Sequence, residues 1–113
     1  DNGQNYMSGP SHSWVHWAGA DGMDCGIHPT NANIVYGAYQ YGTFRKSLNA
    51  GTTTTSMIQP PEAGSGNWVT PFAIDYNDGT RLYAGYTDLY RHDNSAISGS
   101  WVNTSSAFSF SEK

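Results

Sequence analysis

Charge is what this sequence has least of. Asp, Glu, Lys and Arg make up 12% of its 113 residues, and the net charge is −4. A surface this short of cations does not attract phosphate backbones or anionic lipid heads, so neither a nucleic-acid partner nor a membrane-surface partner is expected. Strong helix formers are also scarce: Glu and Lys occur twice each and Leu three times. Cys25 is the only cysteine, which excludes an internal disulfide. No apolar run approaches the ~20 residues that span a bilayer, so no membrane insertion is expected. Residues 19–22 (GADG) lead into a strand rather than a helix, which removes the helix N-terminus that holds phosphate. No nucleophile-elbow pattern occurs.

What the chain does have is aromatic residues (14%, with eight Tyr and four Trp), 13 Gly and many Thr, Ser and Asn. That mixture favours strands and turns, so the fold class expected is all-β. Period-2 alternation marks the strands. They are residues 4–8, 13–18, 23–28, 34–40, 43–46 and 53–58, and then 68–75, 81–86, 89–92 and 100–104. Met23, Cys25 and Ile27 share one face of their strand, which predicts a buried, inert thiol at Cys25. Tyr36, Tyr39, Tyr41, Tyr83, Tyr86 and Tyr90 fall on middle strands and are expected to pack sheet against sheet.

The plan recurs after about 47 residues. Ile27 to Asn31 lines up with Ile74 to Asp78, Val35-Tyr36-Gly37 with Leu82-Tyr83-Ala84, and Phe44-Arg45-Lys46 with Tyr90-Arg91-His92. A repeat of ~40–50 residues built from short strands is the pattern of β-propeller blades, each a four-stranded antiparallel sheet. The organisation expected is the end of a preceding blade and a rim loop (1–21), a full blade (22–58), a linker loop (59–67), a second full blade (68–105) and the start of a third (106–113). Two full blades cannot close a ring of roughly four to eight. The reading is therefore an incomplete ring, a piece of something longer, whose partners are other blades of the same ring or additional chains. The absence of an initiator Met and the opening Asp-Asn-Gly agree with it.

Residues 47–54 (SLNAGTTT) resemble the Asp-box of sialidase-type (BNR) repeats: Ser/Thr, any, Asp, any, Gly, any, Thr, aromatic. Asn49 stands for the Asp and Thr54 for the aromatic. Asp1-Asn2-Gly3, residues 19–22, His28-Pro29-Thr30-Asn31 and Ile34-Val35-Tyr36 together resemble the bacterial sortilin-like and xyloglucanase-like propellers, with Ala20 and His28 as departures. The resemblance implies a secreted or cell-surface protein and admits binding modules, scaffolds and hydrolases.

In a propeller, ligands meet the loops that lead into the inner strands. That puts Trp17, Asp21, Asp24 and Trp68 on one rim as candidate ligand-binding residues, with Asp21 a weak catalytic candidate. Aromatics beside carboxylates suit a glycan, because rings stack on the sugar face while acids bond hydroxyls. Asp21 between small residues can equally serve to cap a turn. Cleavage of a glycosidic bond needs two carboxylates roughly 5–9.5 Å apart, and Asp21 and Asp24 point to opposite faces of a strand start. A protein ligand for the same rim, a glycoside hydrolase, and a structural subunit assembling by blade addition all stay open. No cofactor is expected beyond a calcium ion that Asp21, Asp24, Asp75 or Asp78 could ligate. His12 and His16 lie about 13 Å apart along an extended strand, too far to share one ion.

Overall fold

The computed structural model describes residues 2–7, 9–96 and 98–105. Nine strands form three antiparallel sheets, and the described residues contain no α-helix and form no closed ring. β1 (Gln4–Met7) and β2 (Trp14–Ala18) make a hairpin. β3 (Gly22–Ile27), β4 (Val35–Tyr39) and β5 (Thr43–Ser47) make a three-stranded meander. β6 (Phe72–Ile74), β7 (Leu82–Gly85), β8 (Leu89–His92) and β9 (Trp101–Asn103) make a four-stranded one. The third-blade start expected at residues 106–113 lies outside the described residues.

The three sheets stack. β4 is covered on both sides, and the alternation of its residues shows how. Tyr36 and Ala38 face the four-stranded sheet and join Phe44, Leu82, Ala84, Tyr90 and Trp101 in one core. Gly37 faces the other way, against the side chains of Gln4 and Trp17 from the β1–β2 hairpin. A Cβ at Gly37 would stand 3.0 Å from Gln4 and 3.1 Å from Trp17, so the hairpin seats on bare backbone. The ring of Phe44 is the centre of the second contact, edge-on to Phe72 and tilted over Trp101, both at 5.5 Å between centroids. Truncating such a buried Phe to Ala costs about 3–5 kcal/mol.

Turn 47–53 is held as its sequence leads one to expect. Asn49 Oδ1 accepts the Thr53 N–H at 2.9 Å and the Ser47 hydroxyl at 2.9 Å, while Ser47 Oγ accepts the Gly51 N–H at 2.9 Å. Gly51 has φ +82°, a left-handed conformation that favours glycine, and its backbone lies under Tyr6 and Trp17.

Three expectations need correction. Residues 53–58 do not form a fourth strand: only Thr55 pairs with Lys46. The next place on the β5 edge is taken by the side-chain amide of Gln59, which bonds both backbone groups of Phe44. The strand expected at 68–75 starts only at Phe72, because residues 64–68 bend back to bond Tyr41 and Pro71 has no N–H to give. Finally, Cys25 is exposed. β3 is the open edge of its sheet, and Ile27 beside it is 63% exposed, so only Met23 of this alternation packs against the core.

The two meanders share an outline, but their first and second hairpins give matches one residue apart: Ile27 pairs with Val35 as Ile74 pairs with Leu82, which matches Val35 to Leu82. Both middle hairpins close through three residues, with Tyr39 opposite Thr43 and Gly85 opposite Leu89. Counting back from those turns puts buried Tyr36 with buried Leu82 and Ala38 with Ala84. The match of Val35 to Leu82 thus holds at the first hairpin, and one extra residue in β4 brings Tyr36 to the core position that Leu82 fills.

Candidate functional site

Residues 59–71 lie across one end of both meanders and tie them together. Gly64 and Gly66 donate to the Tyr41 carbonyl at 2.8 and 3.2 Å, and Tyr41 donates back to the Trp68 carbonyl at 3.3 Å. The Glu62 carboxylate reaches the second sheet, where it accepts the Thr87 and Asp88 N–H groups at 3.2 and 3.1 Å and the Tyr90 hydroxyl at 3.1 Å. Tyr86 donates its hydroxyl to the Gly42 carbonyl, crossing from one hairpin turn to the other. Burial alone would raise the Glu62 carboxyl, but the donors from Asp88, Thr87 and Tyr90 outweigh it and hold it below its ordinary value. Burial pushes the Tyr86 and Tyr90 phenols up, and the Glu62 charge adds to both.

On this braced loop stands an aromatic pair. Trp68, 51% exposed, meets Tyr41, 44% exposed, edge to face at 5.2 Å and 88°. Val69 beside them is exposed too. Tyr41 therefore does not pack sheet on sheet as its position suggested. Its φ of 62° turns it out of the strand direction, into a tight turn with Gly42. Next to it, Gln40 Oε1 is shielded from water and makes no hydrogen bond.

The other expected site residues are placed as follows. Gly22 pairs with Tyr39, so Asp21, one residue outside that pair, lies at the same end of the sheet as turn 40–42. Asp21 is half-buried. Asp24 is exposed on β3 and accepts the N–H of Cys25 at 2.9 Å. Trp17 is half-buried, with its ring against Gly37 and its Cβ near Gly51, so it fills the gap between hairpin and sheet. Tyr41 was the residue that sequence reasoning missed here. The available signal was Tyr41-Gly42 at a hairpin turn, where an aromatic cannot keep the strand's alternation.

At the opposite end of the second sheet the acidic residues are engaged. Arg81 bonds Asp93 at 2.9 Å and Asp75 at 3.3 Å and sits 3.7 Å from Asp78. Asp75 Oδ1 accepts the Asn77 N–H at 2.8 Å, and Asp78 Oδ1 accepts the Thr80 hydroxyl at 2.7 Å. These donors hold both carboxyls below their ordinary range and make 75–81 a self-bonded turn. Among the described residues no group of three or more His, Cys, Asp and Glu comes close enough to hold a metal ion. No helix among them is long and apolar enough to cross a membrane.

Compared with protein-family models, with curated proteins and with solved structures, the chain shows no significant match. Function therefore has to be argued from residues. An apolar groove of about 240 Å³ runs between β3 and β6, lined among others by Cys25, Ile27, Phe72 and Tyr76. Its side chains are mostly apolar, so the polar surface it offers comes largely from backbone. The Tyr41–Trp68 pair offers exposed aromatic surface on a backbone that the hydrogen bonds above already fix.

Proposed function

We propose that the chain is a binding module built on stacked, Asp-box-type propeller blades of an extracellular protein, and that it meets a glycan or protein ligand through the Tyr41–Trp68 rim. The observation that carries this reading is the half-exposed Trp68 standing edge-on to Tyr41 on a loop pinned by backbone hydrogen bonds. Exposed aromatics cost little conformational entropy when their backbone is already ordered, which is what a recognition surface needs. Asp21 lies at the same end of the sheet. The Ser47–Asn49–Gly51–Thr53 bonding pattern supports the Asp-box reading of the turn, and the stacking of the sheets supports the blade reading.

Catalysis is the weaker alternative. Glu62 is the rim carboxylate with the best-defined partners, and its donors keep it ionised. That suits anchoring a loop and not delivering a proton to a leaving group.

The test is a glycan array and a ligand screen with the wild-type chain and Trp68→Ala. Binding should fall at least tenfold in the variant with an unchanged melting temperature. Hydrolysis of a bound glycan that Asp21→Asn abolishes would replace this reading with the enzymatic one. Equal binding by Trp68→Ala would remove the rim from consideration.

A further inference from the structure

The stack of sheets has a direction. Across the three-stranded meander one row of cross-strand partners reads Gly26, Tyr36, Lys46, Thr55. Directly opposed partners share a face, and this face meets the four-stranded sheet and its turns. A Cβ at Gly26 would stand 2.5 Å from Ile74, the Tyr36 hydroxyl donates to the Gly79 carbonyl at 3.2 Å, and the Lys46 ammonium donates to the Ser95 carbonyl at 2.6 Å. Matching Val35 to Leu82, as the first hairpins do, puts Tyr36 with Tyr83. The row through Tyr83 reads Ala73, Tyr83, Arg91, Val102. It repeats the same order of side chains: a small residue, a Tyr, a cation, a β-branched residue. Leu82 and Ala84, on either side of Tyr83, lie in the core, so this row points the other way, out of the stack. Among the described residues no layer covers it, and Val102 is 48% exposed.

The other end of the stack is of the opposite kind. In the hairpin, Tyr6 lies on Gly51, so Met7, the next residue along, points away from the three-stranded sheet together with its partner Trp14. These two are 44% and 68% exposed. Both junctions within the stack join a face that points forward to one that points back: the hairpin seats on the Gly37 face of β4, and the Tyr36 row seats on the Ala84 face of β7. The free ends are therefore one of each kind. We propose that the Ala73–Tyr83–Arg91–Val102 face docks the Met7–Trp14 face of a second copy of this chain, so that copies join end to end and the stack continues across the junction. Continuity with the existing interface selects this occupant, because the outer row repeats one that already receives a sheet. The contact is heterologous, so each added copy leaves a free face of each kind until a ring closes or a filament grows. It uses the stacking and not the Tyr41–Trp68 rim, so the test of either leaves the other standing.

The experiment is sedimentation velocity of the wild-type chain over a wide range of concentration. The mass should rise from that of one chain to species beyond the dimer. Val102→Glu and Trp14→Glu each place a carboxylate without a partner in the junction, and each should weaken association at least tenfold. Both positions are exposed, so the melting temperatures should not change. If either variant does not fold, Leu89→Glu replaces the first and Met7→Glu the second. An equimolar mixture of the two variants keeps one intact face of each kind, so it should form a dimer and stop there. A wild-type chain that stays single at every concentration, variants that associate as the wild type does, or a mixture that gives no dimer would overturn the proposal.

Discussion

The side chain of Gln59 stands in for a strand against Phe44. Its Oε1 accepts the Phe44 N–H at 2.7 Å and its Nε2 donates to the Phe44 carbonyl at 2.8 Å. A neighbouring strand would offer the same pair of bonds, so one carboxamide finishes the edge that Thr55 begins. Gln59→Leu leaves both backbone groups without these partners, directly over the core residue Phe44. A loss of about 1–3 kcal/mol is expected from an unsatisfied group of this kind. Urea unfolding monitored by Trp fluorescence measures it, and a loss under 0.5 kcal/mol (roughly the scatter of neutral surface changes) would show that water substitutes freely.

Asn49 gives a sharper chemical contrast. Its Oδ1 accepts from Thr53 and Ser47, a role any short side-chain oxygen can fill. Asn49→Asp should therefore stay within about 0.5 kcal/mol of wild type, and Asn49→Ala should lose about 1 kcal/mol, comparable to losing a helix cap. Equal stability of the two variants would contradict the assigned role of Oδ1.

Cys25 is exposed on the open edge of β3. One thiol per chain should react with an aromatic disulfide reagent under native conditions, without denaturant. Protection that disappears only on unfolding would mean that another chain or layer covers this edge in solution.

The pH dependence has a definite sign. Burial lowers the folded-state pKa of His92 below 6.5, the Lys46 charge lowers it further, and Asp93 and a backbone bond with Gly99 offset part of this. On acidification the unfolded chain takes up a proton near 6.5, and the folded chain does so only at lower pH. Stability is thus complete above 6.5, falls as the pH drops through 6.5, and levels off once the folded value is passed. Glu62, Asp75, Asp78 and Asp93 are also lowered, so a second loss begins below about 4 as these carboxylates protonate. Denaturation midpoints measured from pH 8 to 3 should show both steps, and His92→Gln should remove only the first.

Much of this fold is legible in the sequence where local chemistry decides it. Residues 89–92 alternate, and β8 occupies those four residues. The Asn49 turn carries its own donors and acceptors within seven residues, so no tertiary partner is needed to foresee it. Legibility fails where the deciding partner is distant in sequence. Nothing local in residues 53–58 says that Gln59 will take the strand's place. The alternation around Cys25 reads as buried, yet burial depends on a layer that the described residues do not supply. Trp68 was expected to open a strand, and it stands instead on a loop shaped by its bonds to Tyr41. Tyr41 was assigned to packing although Tyr41-Gly42 marks a turn locally; what the sequence does not carry is its contact with residues 64–68.

Sequence order and spatial order coincide in this stack: hairpin, three-stranded sheet, four-stranded sheet. Each sheet is a meander of neighbours, and what joins distant parts of the chain is the side chains between sheets together with the backbone bonds of loop 59–71. Tension on the two ends would accordingly peel the layers apart in succession, beginning with the hairpin. Gly37 gives the hairpin a flat backbone seat, and the pull would fall on buried Gln4, whose amide donates to the Ala38 carbonyl at 3.0 Å, and on the 2.7 Å bond from the Thr54 hydroxyl to the Trp17 carbonyl.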